Sequence, residues 1–85
     1  MSSKILIIGA CGQIGTELTA ALRELYGVDH VIASDINTRN LELVNSGPFE
    51  IIDAKNFNAV KDCCVHNNIK TVYLMAALLS ATGEK

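Results

Sequence analysis

Three glycines, at residues 9, 12 and 15, separate a short apolar run from an amphipathic stretch, and this junction leaves the chain few folds to choose from. The run Lys4-Ile5-Leu6-Ile7-Ile8 is continuous, rich in β-branched residues and closed by a glycine. That pattern predicts a strand over residues 4–8, buried on both faces. Residues 13–26 then place Ile14, Leu18, Ala21, Leu22 and Leu25 on one helical stripe, with Gly27 as the C-terminal stop. In a strand–G-x-x-G-x-x-G–helix junction each glycine has its own task. Gly9 permits the tight turn out of the strand. Gly12 lets backbone approach a bound pyrophosphate, and Gly15 lets the helix pack closely. The N–H groups around Gln13 and Ile14, at the positive end of the helix dipole, then face the phosphates.

The rest of the chain continues the alternation. Val31-Ile32-Ala33 predicts a second strand ending at Asp35, and residues 38–45 a short helix with Thr38 as candidate N-cap and Leu41 and Val44 facing inward. Gly47-Pro48 breaks it. Residues 49–52 form a third strand closed by Asp53, and residues 56–67 a helix capped by Asn56, with Phe57, Val60 and Cys64 on one face. A fourth strand spans residues 71–76. Strands alternating with helices predict a parallel sheet with crossover helices. Right-handed crossovers give the order 3-2-1-4, with a ligand crevice between strands 1 and 4. The fold class is therefore α/β, a partial Rossmann (doubly wound) sheet of four strands and three helices.

Asp35 gives the glycines their specificity. It lies 20 residues beyond Gly15, at the end of the second strand. A carboxylate there meets the two hydroxyls of an adenosine ribose and would repel a 2′-phosphate. NAD is expected over NADP, with Arg39 the one nearby residue that complicates this choice. A plain cap role for Asp35 is the competing reading. Asp53 and Ala54, at the end of the third strand, are placed to reach the adenine, or else form an ordinary exposed loop. The turn Ala76-Ala77-Leu78 after the fourth strand is small and apolar, which leaves room for the cofactor or simply packs. The expected cofactor set is Gly9, Gly12, Gln13, Ile14, Gly15, Asp35, Ile36, Asn37, Asp53, Ala54, Leu74, Ala76 and Ala77. Cys11 lies near a helix N-terminus that would lower a thiol pKa, but no histidine neighbours it in sequence, so filling a tight turn is the stronger reading. His30 and His66 lack a second ligand at metal spacing. Ser80, just past the fourth strand, is either a solvated serine or a group near bound substrate.

Composition sets the outer bounds. The chain has 85 residues, 49% hydrophobic and 19% charged, with a net charge of −2. It suits one small soluble domain, and it lacks the basic cluster of a nucleic-acid binder. No apolar run approaches the roughly 20 residues of a membrane span. The run at residues 5–8 is also shorter than the about 7–15 residues of a signal h-region. Three cysteines, two of them adjacent, suggest neither a disulfide framework nor a zinc site. A cytoplasmic setting is the natural expectation, with a mitochondrial one left open if the natural N-terminus is longer.

Taken together, Gly9 to Gly15, Asp35, Asp53-Ala54 and Ala76-Ala77 resemble the extended short-chain dehydrogenase/reductases. The phrases Ile7-Ile8-Gly9-Ala10-Cys11-Gly12-Gln13-Ile14-Gly15-Thr16-Glu17-Leu18, Val31-Ile32-Ala33-Ser34-Asp35-Ile36 and Tyr73-Leu74-Met75-Ala76-Ala77-Leu78-Leu79-Ser80-Ala81 are similar to the L-threonine 3-dehydrogenases of that superfamily, relatives of the UDP-galactose epimerases. The resemblance implies NAD-dependent oxidation of L-threonine to 2-amino-3-oxobutanoate, with Ser80 at the substrate. A nucleotide-sugar epimerase or dehydratase, and a nonenzymatic NAD-binding module, are the alternatives. The superfamily's catalytic Tyr-x-x-x-Lys is absent: Tyr26 is followed at the fourth place by His30, and Tyr73 by Ala77. The chain therefore reads as the N-terminal part of an NAD-binding domain over residues 1–85, inactive alone. An open, apolar fourth strand is expected to drive self-association.

Overall fold

The computed structural model describes residues 4–36, 38 and 40–75. Four parallel strands pair in the order β3-β2-β1-β4. The strands are β1 (Lys4–Ile8), β2 (Val31–Asp35), β3 (Phe49–Ile51) and β4 (Ile69–Leu74). The helices are α1 (Gln13–Tyr26), α2 (Leu41–Val44) and α3 (Phe57–His66), with a 3-10 turn at Val28–His30. The order matches the expectation from alternation and crossover handedness.

Each face of the sheet carries its own core, because successive side chains of a strand point to opposite sides. On one side Ile7, Val31 and Ala33 pack with Leu22 of α1, Leu43 of α2 and Met75. On the other, Leu6, Ile8 and Ile32 pack with Ile52 and with Cys63 of α3. Leu6, Ile7 and Val31 are fully buried, as a doubly covered central strand pair requires.

Several local expectations are corrected. The stripe Ile14, Leu18, Ala21, Leu22, Leu25 is not the inward face of α1: Ile14 and Leu25 are 61% and 74% exposed, and Ala21 is exposed as well. The buried residues are Gly15, Thr19, Leu22 and Arg23. The cause is Gly15. A Cβ there would lie 2.6 Å from the Gly9 carbonyl oxygen and 2.8 Å from the Ala10 Cα, so this residue must face the loop. That contact fixes the rotation of the whole helix.

Helix α2 is a single turn capped by Asn40, not Thr38. The Asn40 side chain accepts from the Leu43 N–H at 3.1 Å. Leu43, rather than Leu41 or Val44, is its buried residue, and Leu41 is 64% exposed. In α3 the Asn56 cap forms as expected, accepting from the Ala59 N–H at 3.1 Å. Cys63 is buried there, whereas Cys64 is only half-buried and Phe57 is exposed. Strand β4 begins at Ile69, two residues before its expected start.

Candidate cofactor-binding site

The parallel register brings the carboxyl ends of three strands level. Ile8 of β1 stands beside Ser34 of β2 and Leu74 of β4. Residues 9–12 therefore leave the sheet next to Asp35, on the side from which a parallel sheet receives its ligands.

The glycine loop is held from both neighbouring elements. Gly9 turns the chain with φ of 85°, a left-handed conformation that favours glycine. The N–H groups of Gly9 and Ala10 both donate to the Ser34 carbonyl at 2.9 Å. Ser34 is fully buried, and its hydroxyl donates back to the Ile7 carbonyl at 2.9 Å, locking β2 to β1 at the point where the loop starts. The Cys11 N–H donates to Asp35 Oδ2 at 2.9 Å, and the Ile36 N–H donates to Asp35 Oδ1 at 2.7 Å. Asp35 thus spans the loop and the end of its own strand, with only 9% of its surface exposed.

Helix α1 starts immediately behind this loop. Its N-cap, Gly12, places no side chain over the first turn, and that turn carries no acidic residue. The first N–H groups of a helix have no intrahelical acceptor, and here neither a side-chain cap nor an acidic residue of the first turn competes with an incoming anion, while the Asp35 carboxylate is engaged by the Cys11 and Ile36 N–H groups. A phosphate group matches this cradle in charge and hydrogen bonding. Exposed apolar residues rim it: Ile14 and Ile36 are 61% and 62% exposed, and Leu74 is 44% exposed.

Of the other expected residues, Asp53 is half-buried, and its carboxylate accepts from the Lys55 N–H at 2.9 Å, closing its own turn. The Ile52 N–H bonds to the Asp35 carbonyl at 3.1 Å, which ties this turn to the same edge. Ala54 packs against the α3-side core. Asn37, Arg39, Ala76, Ala77 and Ser80 lie outside the described residues. Cys11 is half-buried in the loop.

Two contributors escaped the sequence reading. Arg23 is buried on α1, and its guanidinium donates to the Val31 carbonyl at 3.2 and 3.1 Å, to the Pro48 carbonyl at 2.7 Å and to Ser46 Oγ at 2.7 Å. Burial lowers its pKa from the ordinary guanidinium value. Pro48 in turn accepts from the Ala33 N–H at 3.1 Å, so Arg23 clamps α1 to the β2–β3 pairing. The helical spacing of Gly15, Thr19 and Arg23 was the available signal. The second is Thr16, which donates to the Ala10 carbonyl at 3.0 Å and accepts from Asn40 Nδ2 at 3.1 Å. A groove of about 330 Å³ between α1 and α2 touches Thr19 and Arg23, whose polar atoms are already engaged by the protein. Thr16 and Asn40 line it as well, and none of residues 9–15 does.

Residues 5–85 match the model of the NAD dependent epimerase/dehydratase family. An uncharacterized epimerase/dehydratase of Staphylococcus haemolyticus is 48% identical over 96% of this chain, which spans 26% of that relative. The chain is thus about a quarter the length of the curated relatives it matches. Among solved structures, an L-threonine dehydrogenase from Clostridium difficile superposes with a TM-score of 0.80 at 39% identity, over 86% of this chain and 23% of the other. The GalE-like L-threonine dehydrogenase of Cupriavidus necator, in its holo form, superposes with a TM-score of 0.77 at 44% identity, over 96% of this chain and 26% of the other. With its partial Rossmann sheet and glycine-loop junction, the chain belongs to the NAD-dependent epimerase/dehydratase family.

Proposed function

We propose that this chain is the NAD-binding segment of an NAD-dependent L-threonine 3-dehydrogenase. The observation that carries the cofactor assignment is the Asp35 carboxylate beside an uncapped, acid-free helix start. In this reading the N–H groups at Gln13 and Ile14 hold the pyrophosphate, and Gly12 keeps its approach clear. Asp35, with Ile36 and Asn37, receives the adenosine ribose; Asp53 and Ala54 bound the adenine. Leu74, Ala76 and Ala77 line the path toward the nicotinamide, and Ser80 stands at the substrate. NAD supplies the hydride acceptor. The 85 residues hold the dinucleotide, whereas the proton acceptor of the superfamily, Tyr-x-x-x-Lys, is not among them.

The threonine assignment is supported by the L-threonine dehydrogenase structures at 39% and 44% identity. A nucleotide-sugar epimerase or dehydratase is the second reading, favoured by staphylococcal relatives described as uncharacterized epimerase/dehydratases at 46–48% identity. The test is NAD reduction by a polypeptide that continues past Lys85 into a Tyr-x-x-x-Lys motif. Turnover of L-threonine supports the first reading. Epimerisation of a nucleotide sugar without threonine turnover replaces it with the second.

The same proposal includes self-association of the 85-residue chain through β4. Strand alternation puts Val72 and Leu74 on the α3 side, and both remain 44% exposed. Light scattering at rising concentration is expected to show a mass above the monomer. A stable monomer removes this part of the proposal.

A further inference from the structure

Asn40 performs two separable tasks. Its Oδ1 caps α2 by accepting from the Leu43 N–H at 3.1 Å. That bond fixes the orientation of the amide, so Nδ2 faces Thr16 and donates to its hydroxyl at 3.1 Å. The Thr16 hydroxyl has one proton, and it goes to the Ala10 carbonyl at 3.0 Å. The direction of donation is continuous from Asn40 through Thr16 to Ala10. A cap needs only the first of these three bonds.

The other two reach the glycine loop from a segment 24 residues away in sequence. Ile36 and Asn40 are consequently both tied to one small region. At the near end, Asp35 bonds the Ile36 and Cys11 N–H groups. At the far end, Asn40 bonds Thr16, which holds Ala10. This segment follows the carboxylate assigned to the ribose, and the loop it is tied to carries the pyrophosphate cradle.

We infer that Asn40, acting through Thr16, is a positioning residue that sets the β2–α2 segment against the glycine loop and thereby fixes the adenosine end of a dinucleotide relative to its pyrophosphate. This inference rests on the NAD-binding reading. Neither residue touches the cofactor in this account. They hold the distance between the two parts that do, so loosening them weakens binding and blurs discrimination at the ribose.

The test separates capping from relay. Asn40→Ser keeps a good N-cap but is too short to reach Thr16. Thr16→Val keeps the shape and removes both hydroxyl bonds, whereas Thr16→Ser restores the hydroxyl. Calorimetric titration with NAD and NADP is expected to show Asn40→Ser and Thr16→Val binding NAD about five- to tenfold more weakly, because the order that about one net hydrogen bond supplies must then be restored on binding. The NAD preference narrows in both, Thr16→Ser stays within about twofold of the parent, and Asn40→Ser, with its cap kept, stays folded. Parent-like NAD affinity in a folded Asn40→Ser variant overturns the inference, as does a Thr16→Ser variant as weak as Thr16→Val. Amide exchange of the ligand-free chains provides an arm independent of the cofactor. The relay predicts faster exchange at Cys11 and Ile36 in Asn40→Ser, neither of which belongs to the preserved cap. Unchanged exchange there overturns the relay. Faster exchange in a series whose parent takes up no NAD supports the relay and removes the cofactor reading instead.

Discussion

The two faces of the sheet are closed by different means. On the α1–α2 face, apolar packing is interwoven with buried polar groups. Thr19 donates to the Gly15 carbonyl at 2.7 Å, and Arg23 spreads its guanidinium over the Val31 and Pro48 carbonyls and Ser46. On the α3 face, Leu6, Ile8, Ile32, Ile52 and Cys63 form an almost wholly apolar contact, and β4 leaves Val72 and Leu74 half open beside it. Apolar burial is tolerant of small shifts in position, whereas hydrogen bonds to a buried cation fix distances and angles. The cradle is built onto the precise face. Its loop touches α1 at Gly15 and is tied through Thr16 to α2.

The largest effect is expected at Gly15. A β-branched side chain there meets the Gly9 oxygen and Ala10 backbone, neither of which can move without opening the loop. Gly15→Val is expected to cost about 3–5 kcal/mol in denaturant unfolding and to abolish NAD binding. Near-parent stability would mean that α1 does not depend on this close approach.

Arg23→Met comes next. It keeps much of the side-chain volume but removes both bonds to the Val31 carbonyl, the bond to Ser46 and the bond to Pro48, whose carbonyl keeps only the Ala33 N–H. A loss of about 2–3 kcal/mol in urea melts is expected. A change below about 0.5 kcal/mol, the size of a neutral surface substitution, would make the polar clamp incidental and the two faces equivalent.

The smallest effect concerns the apolar face. Burial pushes the Cys63 thiol pKa up, the Glu50 carboxylate and Cys64 push the same way, and the Asn67 side chain partly opposes them. The folded chain therefore holds the proton more tightly than the unfolded one. Stability is unaffected below the ordinary thiol range and falls as pH rises through it. In the native chain iodoacetamide is expected to label half-buried Cys64 before Cys63, by peptide mass mapping. Equal rates would show that α3 opens as readily as it packs.

Much of this was visible in the sequence, and the exceptions share a cause. Strand order followed from alternation and crossover handedness, which depend on backbone chirality rather than on particular side chains. Asp35 was legible because its distance from Gly15 is set by one helix and one strand. The rotation of α1 was not, because an apolar stripe assumes that every inward residue is apolar. Here Gly15, Thr19 and Arg23 share that face, and Ile14 and Leu25 point outward. Gly15 already held the answer: a glycine needed for close approach must itself face inward. The Asn40 cap was displaced from Thr38 because α2 is one turn long, too short for periodicity to fix its phase. The Asn40–Thr16 bond joins the cap of α2 to the first turn of α1, and no local pattern marks it.

The central claim is that Asp35 and the α1 N-terminus together form an NAD cradle, and calorimetric titration of the folded chain with NAD and with NADP tests it most directly. Saturable NAD binding is expected, at least about tenfold tighter than NADP binding, a difference of about 1.4 kcal/mol. Equal affinity for the two, or no NAD uptake by a folded chain, would contradict it.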